Sequence, residues 1–168
     1  MIEVAIDSVK VSLVSPYRVV LLKDQSSERF LPIWIGSSEA EAISLQMQGV
    51  EVPRPLTHDL LKRVITDMGG RVSHVVVTDL RQDTYYAHIV LDIDERHIEI
   101  DSRPSDALAL ALRANVKIYV SDAVMRGASI APEDDISGVV SKEEQERLSA
   151  FSDFIDTLDL DDLGKEDH

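Results

Sequence analysis

The sequence predicts an α+β domain in which a largely antiparallel sheet packs against helices. Apolar and polar residues alternate in several short segments, and only a few polar residues separate one segment from the next, which is typical of antiparallel strands. Another segment, from Pro104 to about Ala114, is apolar nearly all round, as expected of a helix buried against a sheet. At 168 residues the chain suits one compact domain with an appendage.

Seven segments have the alternation or the apolar content of strands. They cover residues 4–13, 19–22, 30–35, 72–80, 84–92, 96–101 and 117–120. Residues 81–83 and 94–95 are polar interruptions short enough to be hairpin turns, so the strands from 72 to 101 are predicted to form an antiparallel meander. After the last strand, a short turn is predicted around Ser121 to Met125.

Two further helices are predicted before the buried one. The first helix is predicted to open at Gly36-Ser37-Ser38, where Ser38 and Glu41 form a capping-box pattern, and to end before Gly49. The second covers residues 57–68, where apolar side chains recur at helical spacing, and Gly69 follows it.

The charge of the chain is unevenly distributed. The formal net charge is −14, but residues 1–131 hold 14 Lys and Arg against 18 Asp and Glu, a net of −4. Residues 132–168 carry the other −10. The sequence thus predicts a main domain over residues 1–131 and an acidic tail over residues 132–168. Acidity disfavours binding to a phosphate backbone, and its concentration in the tail weakens that objection for the domain.

The tail contains one predicted amphipathic helix. Ser141 and Glu144 form a second capping box ahead of a narrow apolar seam. The seam consists of Leu148, Phe151, Ile155 and Leu158. Such a helix could fold back on its own domain or dock a protein partner, and residues 159–168 are predicted to be disordered.

Several kinds of protein are disfavoured by what the sequence lacks. With no cysteine there are no disulfides or thiolate sites, so a bound metal would need oxygen and imidazole ligands. No apolar run reaches membrane-spanning length, and the N-terminus lacks the pattern of a signal peptide, which predicts a cytoplasmic protein with no membrane association. Nor is there a glycine-rich nucleotide loop, a zinc-ligand spacing or a serine-nucleophile elbow.

Two segments, residues 53–59 and 101–107, concentrate the chemistry of the sequence. Each has an Arg-Pro step and an acid at the predicted start of a helix. A helix N-terminus exposes unpaired N–H groups and the positive end of the dipole, so Arg54 and Arg103 could help to bind a phosphate there. Alternatively, the acids simply satisfy the free amides of their helices.

Seven segments of the chain recur in order in one known family. They are Leu31–Gly36, Glu39–Ile43, Pro53–Leu60, Gly69-Gly70, Tyr86-Ala87, Asp101–Ala107 and Ala109–Arg113. The chain from Leu31 to about Val120 therefore resembles the bifunctional nuclease domain family. This resemblance implies a compact α+β domain with a mixed sheet, assembly into homo-oligomers and, in some members, nuclease activity toward DNA and RNA. The acidic tail does not resemble the small helical module that some members append.

The polar members of these shared motifs are the candidate site residues. They are Glu39, Arg54, His58, Asp59, Asp101, Arg103, Asp106 and Arg113. Hydrolysis of a phosphodiester needs a group that activates water and cations that stabilise the developing charge. Because carboxylates suit hard cations, Asp101 and Asp106, with Glu39 as the third, are predicted ligands of Mg²⁺ or Mn²⁺.

The remaining candidates are assigned to acid–base chemistry and to phosphate binding. His58 is predicted to be the general base or acid, and Asp59 is grouped with it among the catalytic residues. Arg54, Arg103 and Arg113 are predicted to hold the substrate phosphate, because a planar guanidinium pairs with two phosphate oxygens.

A structural role would explain much the same residues. Asp106 would cap its helix, and Asp59 would pair with Arg63 one helical turn away. Arg103 would pair with Asp101 and brace the start of its helix. Helix starts held together by such ion pairs would account for these residues without a substrate.

Two functions from different classes therefore remain. The first is a metal-assisted nuclease of low sequence specificity that acts on DNA and RNA, and the resemblance favours it. The second is a non-catalytic homo-oligomeric module that binds an anionic ligand or a protein partner. The lack of an exposed aromatic ladder favours the second, since the sole tryptophan, Trp34, is predicted to pack in the core or in an oligomer interface.

Overall fold

The computed structural model describes residues 1–11, 17–94 and 96–131. The strands within them are β1 Ile2–Val11, β2 Arg18–Asp24, β3 Phe30–Ile35, β4 Arg71–Arg81, β5 Thr84–Ile93, β6 Arg96–Ser102 and β7 Lys117–Val120. The helices are α1 Ser37–Met47, α2 Thr57–Asp67, α3 Pro104–Ala114 and α4 Asp122–Ala128. None of these four helices is long and apolar enough to cross a membrane. The predicted acidic tail and its amphipathic helix lie outside the described residues.

All seven described strands belong to one sheet, in the order β3-β2-β1-β7-β4-β5-β6. Neighbouring strands are antiparallel except β4 and β7, which run parallel. The exception arises because α3 carries the chain from β6, at one edge of the sheet, back to its middle. The predicted α+β class with a mixed, largely antiparallel sheet is confirmed, as is the meander of β4, β5 and β6.

The turn between β4 and β5 follows from its residue types. Gln82 and Asp83 are its central residues, with φ of 48° and 58°. Two positive φ values give a two-residue turn whose twist matches that of the flanking strands, and Asp tolerates this conformation better than most residues. Just after the turn, the Tyr85 hydroxyl donates to the Pro32 carbonyl at 3.2 Å. The tip of the hairpin is thereby attached to the edge strand β3.

α3 is the central helix of the described domain. Its residues from Pro104 to Ala111 are buried except for Asp106, which is half-buried, as the apolar sequence predicts. It packs against β4, β5 and β7, and both α1 and α2 pack against it. Asn115 ends the helix in the left-handed conformation, with φ of 53°. Side chains from three helices can therefore meet along α3.

Two local predictions are wrong. The N-cap of α1 is Gly36, two residues before the predicted capping residue Ser38, so Ser38 lies inside the first turn and does not cap the helix. The reason is that β3 runs into the helix directly at Gly36, which adopts the extended conformation that a cap requires. The turn predicted around Ser121 to Met125 is instead the start of α4, where Ser121 Oγ accepts a hydrogen bond from the Val124 N–H.

Candidate functional site

Four of the predicted site residues meet near the N-terminal ends of α1, α2 and α3. Arg103 is the N-cap of α3, ahead of Pro104 at the first helical position. Its Nε donates to Asp106 Oδ2 at 2.7 Å, and its Nη2 donates to Glu39 Oε1 at 2.8 Å. His58 Nε2 lies 3.0 Å from the other oxygen of Asp106, Oδ1. We refer to Glu39, His58, Arg103 and Asp106 as the Arg103 cluster.

The cluster holds Asp106 in its ionised form. Partial burial disfavours the charge on Asp106, but hydrogen bonds from Arg103 and His58 outweigh that cost, so the pKa of Asp106 lies below its ordinary value. Hydrogen bonds to Asp106 and then to Glu39 raise the pKa of the Arg103 guanidinium. The Arg103 side chain is still 66% exposed. Because a guanidinium has five N–H donors, Arg103 retains donors for an anion from solution.

His58 is the buried member of the cluster, with an exposed fraction of 6%. An ionised carboxylate only accepts hydrogen bonds, so His58 Nε2 carries the proton that joins it to Asp106. The other ring nitrogen, Nδ1, is buried and has no hydrogen-bond partner among the described residues. In this conformation His58 cannot touch a substrate through Nδ1, and it orients Asp106 instead. A role for His58 as general base or acid stays a prediction that requires the ring to move.

Glu39 occupies space that a glycine leaves open. A Cβ atom added at Gly36 would overlap Glu39 Oε2. While Oε1 accepts from Arg103, Oε2 makes no hydrogen bond with any residue in the described ranges. The motifs did not single out Gly36 for this close approach, although a glycine three residues before an acid of the first helical turn is a signal that could have indicated it.

Arg113 and Asp59 form a separate pair in the interior. The Arg113 side chain is 3% exposed, and its Nε donates to Asp59 Oδ1 at 2.8 Å. Its terminal nitrogens donate to the carbonyls of Ala109 and Ala42 at 3.0 and 3.1 Å. Asp59 Oδ2 accepts from the Leu56 N–H at 2.9 Å, which is the structural role considered for this acid. These contacts join α1, α2 and α3, so the geometry favours a structural pair, and roles in catalysis and phosphate binding stay predictions.

Asp101 and Arg54 lie outside both groups. Asp101 is exposed on β6, opposite His88 in the ladder with β5, and the structure records no ion pair between it and the rest of the described chain. Arg54 is exposed in the connector before α2, where it lines a cavity of about 300 Å³ together with Asp59 and Arg113. Both residues remain candidates by sequence alone.

Two pairings considered as structural alternatives are wrong. Asp59 does not pair with Arg63, because the buried arginine of α3 already occupies its carboxylate, and Arg63 Nε donates to Asp67 at 3.1 Å. Arg103 does not pair with Asp101, because its guanidinium lies against the two acids of the cluster. Sequence proximity therefore misled both assignments.

The predicted metal ligands do not fit a metal ion in this arrangement. Within residues 1–11, 17–94 and 96–131, no three His, Asp or Glu residues are placed to hold one. Asp106 and Glu39 do come together, but Arg103 bridges them and already supplies the compensating positive charge. Asp101 does not join them. A need for Mg²⁺ or Mn²⁺ stays a prediction.

Comparison with known proteins agrees with the resemblance. The family model described as bifunctional nuclease domain matches residues 20–133, which include the whole Arg103 cluster. An uncharacterized protein of Mycobacterium tuberculosis is 39% identical over 162 residues, covering 96% of this chain and 97% of its own length. Bifunctional nucleases 1 and 2 of Oryza sativa subsp. japonica are each 29% identical, but the matches cover 34% and 44% of their lengths and 64% and 89% of this chain. This chain belongs to the bifunctional nuclease domain family.

Proposed function

We propose that this chain is a nuclease that hydrolyses phosphodiester bonds of DNA and RNA with low sequence specificity. The observation that carries the proposal is the exposed guanidinium of Arg103, which two carboxylates hold in place and which retains N–H donors. Contacts to phosphate position a nucleic acid without reading its sequence, which accounts for low specificity. Membership of the family and the names of the plant relatives support the same assignment.

Arg103 binds the phosphate and stabilises its developing charge. Asp106 and Glu39 use its Nε and one Nη2 hydrogen, which leaves Nη1 and the second Nη2 hydrogen for two phosphate oxygens. A guanidinium fixed in advance loses little freedom when it binds, so more of the interaction stabilises the transition state. His58 supports this geometry by holding the far oxygen of Asp106.

Glu39 acts as the general base in this proposal. Its Oε1 is held by Arg103, and its Oε2 is available to a water molecule. As the water oxygen attacks phosphorus, its proton passes to Oε2. The bond from phosphorus to the leaving oxygen breaks, and that oxygen keeps the electron pair and takes a proton from solvent water. A positioned base of this kind contributes about 10²- to 10⁴-fold to a rate.

The test is the cutting of fluorescently labelled DNA and RNA by purified variants. Arg103→Gln and Glu39→Gln are expected to lower the cutting rate by about 100-fold or more. The matched controls Arg63→Gln and Glu41→Gln change an exposed arginine and an exposed glutamate outside the cluster, and they should cut normally. Cutting that survives in both cluster variants would refute the proposal. Parallel assays with Mg²⁺, with Mn²⁺ and with EDTA test the predicted metal separately.

A non-catalytic homo-oligomeric module is the second candidate, and the outer face of α2 favours it. Leu60 and Val64 on this face, and Met68 directly after the helix, are all exposed. Exposed apolar patches mark interaction sites, and we propose a second copy of this chain as the partner, since two such faces would bury the same side chains against each other. Sedimentation should show a dimer that Leu60→Lys dissociates. A wild-type monomer would contradict this candidate, and a folded dimer that cuts nothing would favour it over the nuclease.

A further inference from the structure

A second cavity adjoins Arg103 on the side of β3. Its volume is about 260 Å³, and it lies where the edge strand β3, the β4–β5 turn and the start of α3 meet. The residues that matter for its chemistry are Trp34, Asp83, Thr84, Tyr85 and Arg103. The hydrogen bond from Tyr85 to the Pro32 carbonyl holds the hairpin tip against the strand. Because Arg103 belongs to both the cavity and the cluster, a nucleotide whose phosphate binds Arg103 has its base within reach of the cavity.

Trp34 is the exposed aromatic residue of this cavity. It is 41% exposed, whereas its neighbours Ile33 and Ile35 are 2% and 5% exposed. Trp34 was predicted to pack in the core or in an oligomer interface. The core alternative is wrong, because the alternation of β3 turns the two isoleucines to the core and the tryptophan away from it, and the interface alternative stays a prediction. Proteins that bind single-stranded nucleic acid combine an aromatic ring for stacking with cations for the backbone. Trp34 and Arg103 supply one of each.

We propose that this cavity is a subsite for one unpaired nucleobase, which stacks on Trp34 while the adjoining phosphate binds Arg103. The inference rests on the proposed role of Arg103 as the phosphate ligand. In a duplex, neighbouring bases cover both faces of each base, so a base enters only from a single strand or after flipping out of the stack. Stacking on one indole accepts every base, and Asp83 and Thr84 offer polar atoms to the base edge. The preferred substrates are then single-stranded DNA and RNA.

The fluorescence of Trp34 reports on the subsite directly, because the chain has one tryptophan. A short single-stranded oligonucleotide of mixed sequence is expected to change the emission in a saturable manner, and a closed hairpin duplex of the same composition is expected to leave it nearly unchanged. An equal response to the duplex would overturn the inference. So would an emission change that follows protein concentration, since a second copy of the chain would then cover Trp34.

Substitutions test the stacking contact by fluorescence anisotropy of a labelled single strand. Trp34→Leu is expected to weaken binding by at least about 5-fold, and Trp34→Phe by less, because the smaller ring still stacks. The control Tyr86→Leu removes another exposed aromatic ring and should bind normally. Circular dichroism melts establish that each variant is folded. Unchanged affinity in a folded Trp34→Leu protein would overturn the subsite.

The subsite and the nuclease can fail separately. If the wild type cuts and Trp34→Leu cuts with the same KM, the base subsite is wrong and the nuclease stands. If the wild type binds single strands in a Trp34-dependent manner but cuts nothing, the subsite stands and the nuclease is wrong. In Arg103→Gln, oligonucleotide binding is expected to be lost while free nucleosides still quench the emission of Trp34. This result would separate the base contact from the phosphate contact and support both.

Discussion

Replacing Arg113 with methionine should destabilise the domain without removing a group that touches substrate. The guanidinium is enclosed, and it donates to Asp59 and to the carbonyls of Ala109 and Ala42. Methionine fills much of the same volume but donates nothing. The variant would leave Asp59 Oδ1 and the Ala42 carbonyl without their donor.

The magnitude follows from those lost contacts. Removing one partner of a buried ion pair costs about 3–5 kcal/mol, and a single hydrogen bond to a charged group contributes about 1.5–3 kcal/mol. The Asp59 side chain is 33% exposed, so water replaces part of what the guanidinium supplied. We therefore expect the free energy of unfolding to fall by about 3 kcal/mol, the lower end of the range for a broken buried ion pair, which lowers Tm by roughly 10 °C for a chain of this size.

Urea unfolding followed by circular dichroism measures the loss. Arg63→Met is the matched control, because it breaks an exposed ion pair with Asp67 and should change the free energy of unfolding by less than about 0.5 kcal/mol. A loss below about 1 kcal/mol in Arg113→Met would refute the reasoning from burial. Abolished cutting in a folded and stable Arg113→Met protein would refute it differently, since Arg113 would then bind the phosphate as the sequence predicts.

Two further predictions concern Glu39 and Asp24. Gly36→Ala places a methyl group where Glu39 Oε2 lies, so we expect the cutting rate to fall at least 10-fold because the base is displaced. The free energy of unfolding should change by less than about 1 kcal/mol, because only a flexible side-chain end must move. A normal cutting rate would exclude Glu39 as the base. Burial alone would raise the pKa of Asp24, but hydrogen bonds from Ser27 and its neighbours lower it, so the native state binds fewer protons than the unfolded chain. The free energy of unfolding should therefore fall as pH drops below about 4, and less steeply in Asp24→Asn; identical pH profiles would contradict this.

The strands and helices could be predicted because their signals are local. The apolar coat and the initial proline of α3 predict its bounds, Pro104 to Ala114, and the structure has the same bounds. The N-cap of α1 was mispredicted because two local signals compete there. Ser38 offers a capping side chain, but Gly36 offers the backbone conformation, and the chain takes the second. Side-chain chemistry alone does not show where a strand ends.

The pairings within the site could not be predicted because they are not local. His58 and Asp106 are 48 residues apart, and Asp59 and Arg113 are 54 residues apart. Spacing favoured Arg63 as the partner of Asp59. The buried guanidinium of Arg113, which reaches from α3, instead pairs with the Asp59 carboxylate more strongly than an exposed neighbour on the same helix does. The motifs selected the candidate residues, and only the fold shows which of them touch.

The two Arg-Pro segments differ in their contacts because their acids point to different environments. Asp59 and Asp106 are both the third residue after the N-cap of their helices. Asp59 turns to its own backbone and to an enclosed arginine, whereas Asp106 holds Arg103, whose side chain is largely exposed. Arg54, in contrast, stands two residues ahead of its N-cap, and no acid is recorded against it in the described part of the chain. Of the two segments, the one at residues 101–107 therefore has an arginine, Arg103, that is both fixed and exposed. Because phosphate binding depends on that local geometry, the overall negative charge of the chain does not exclude it.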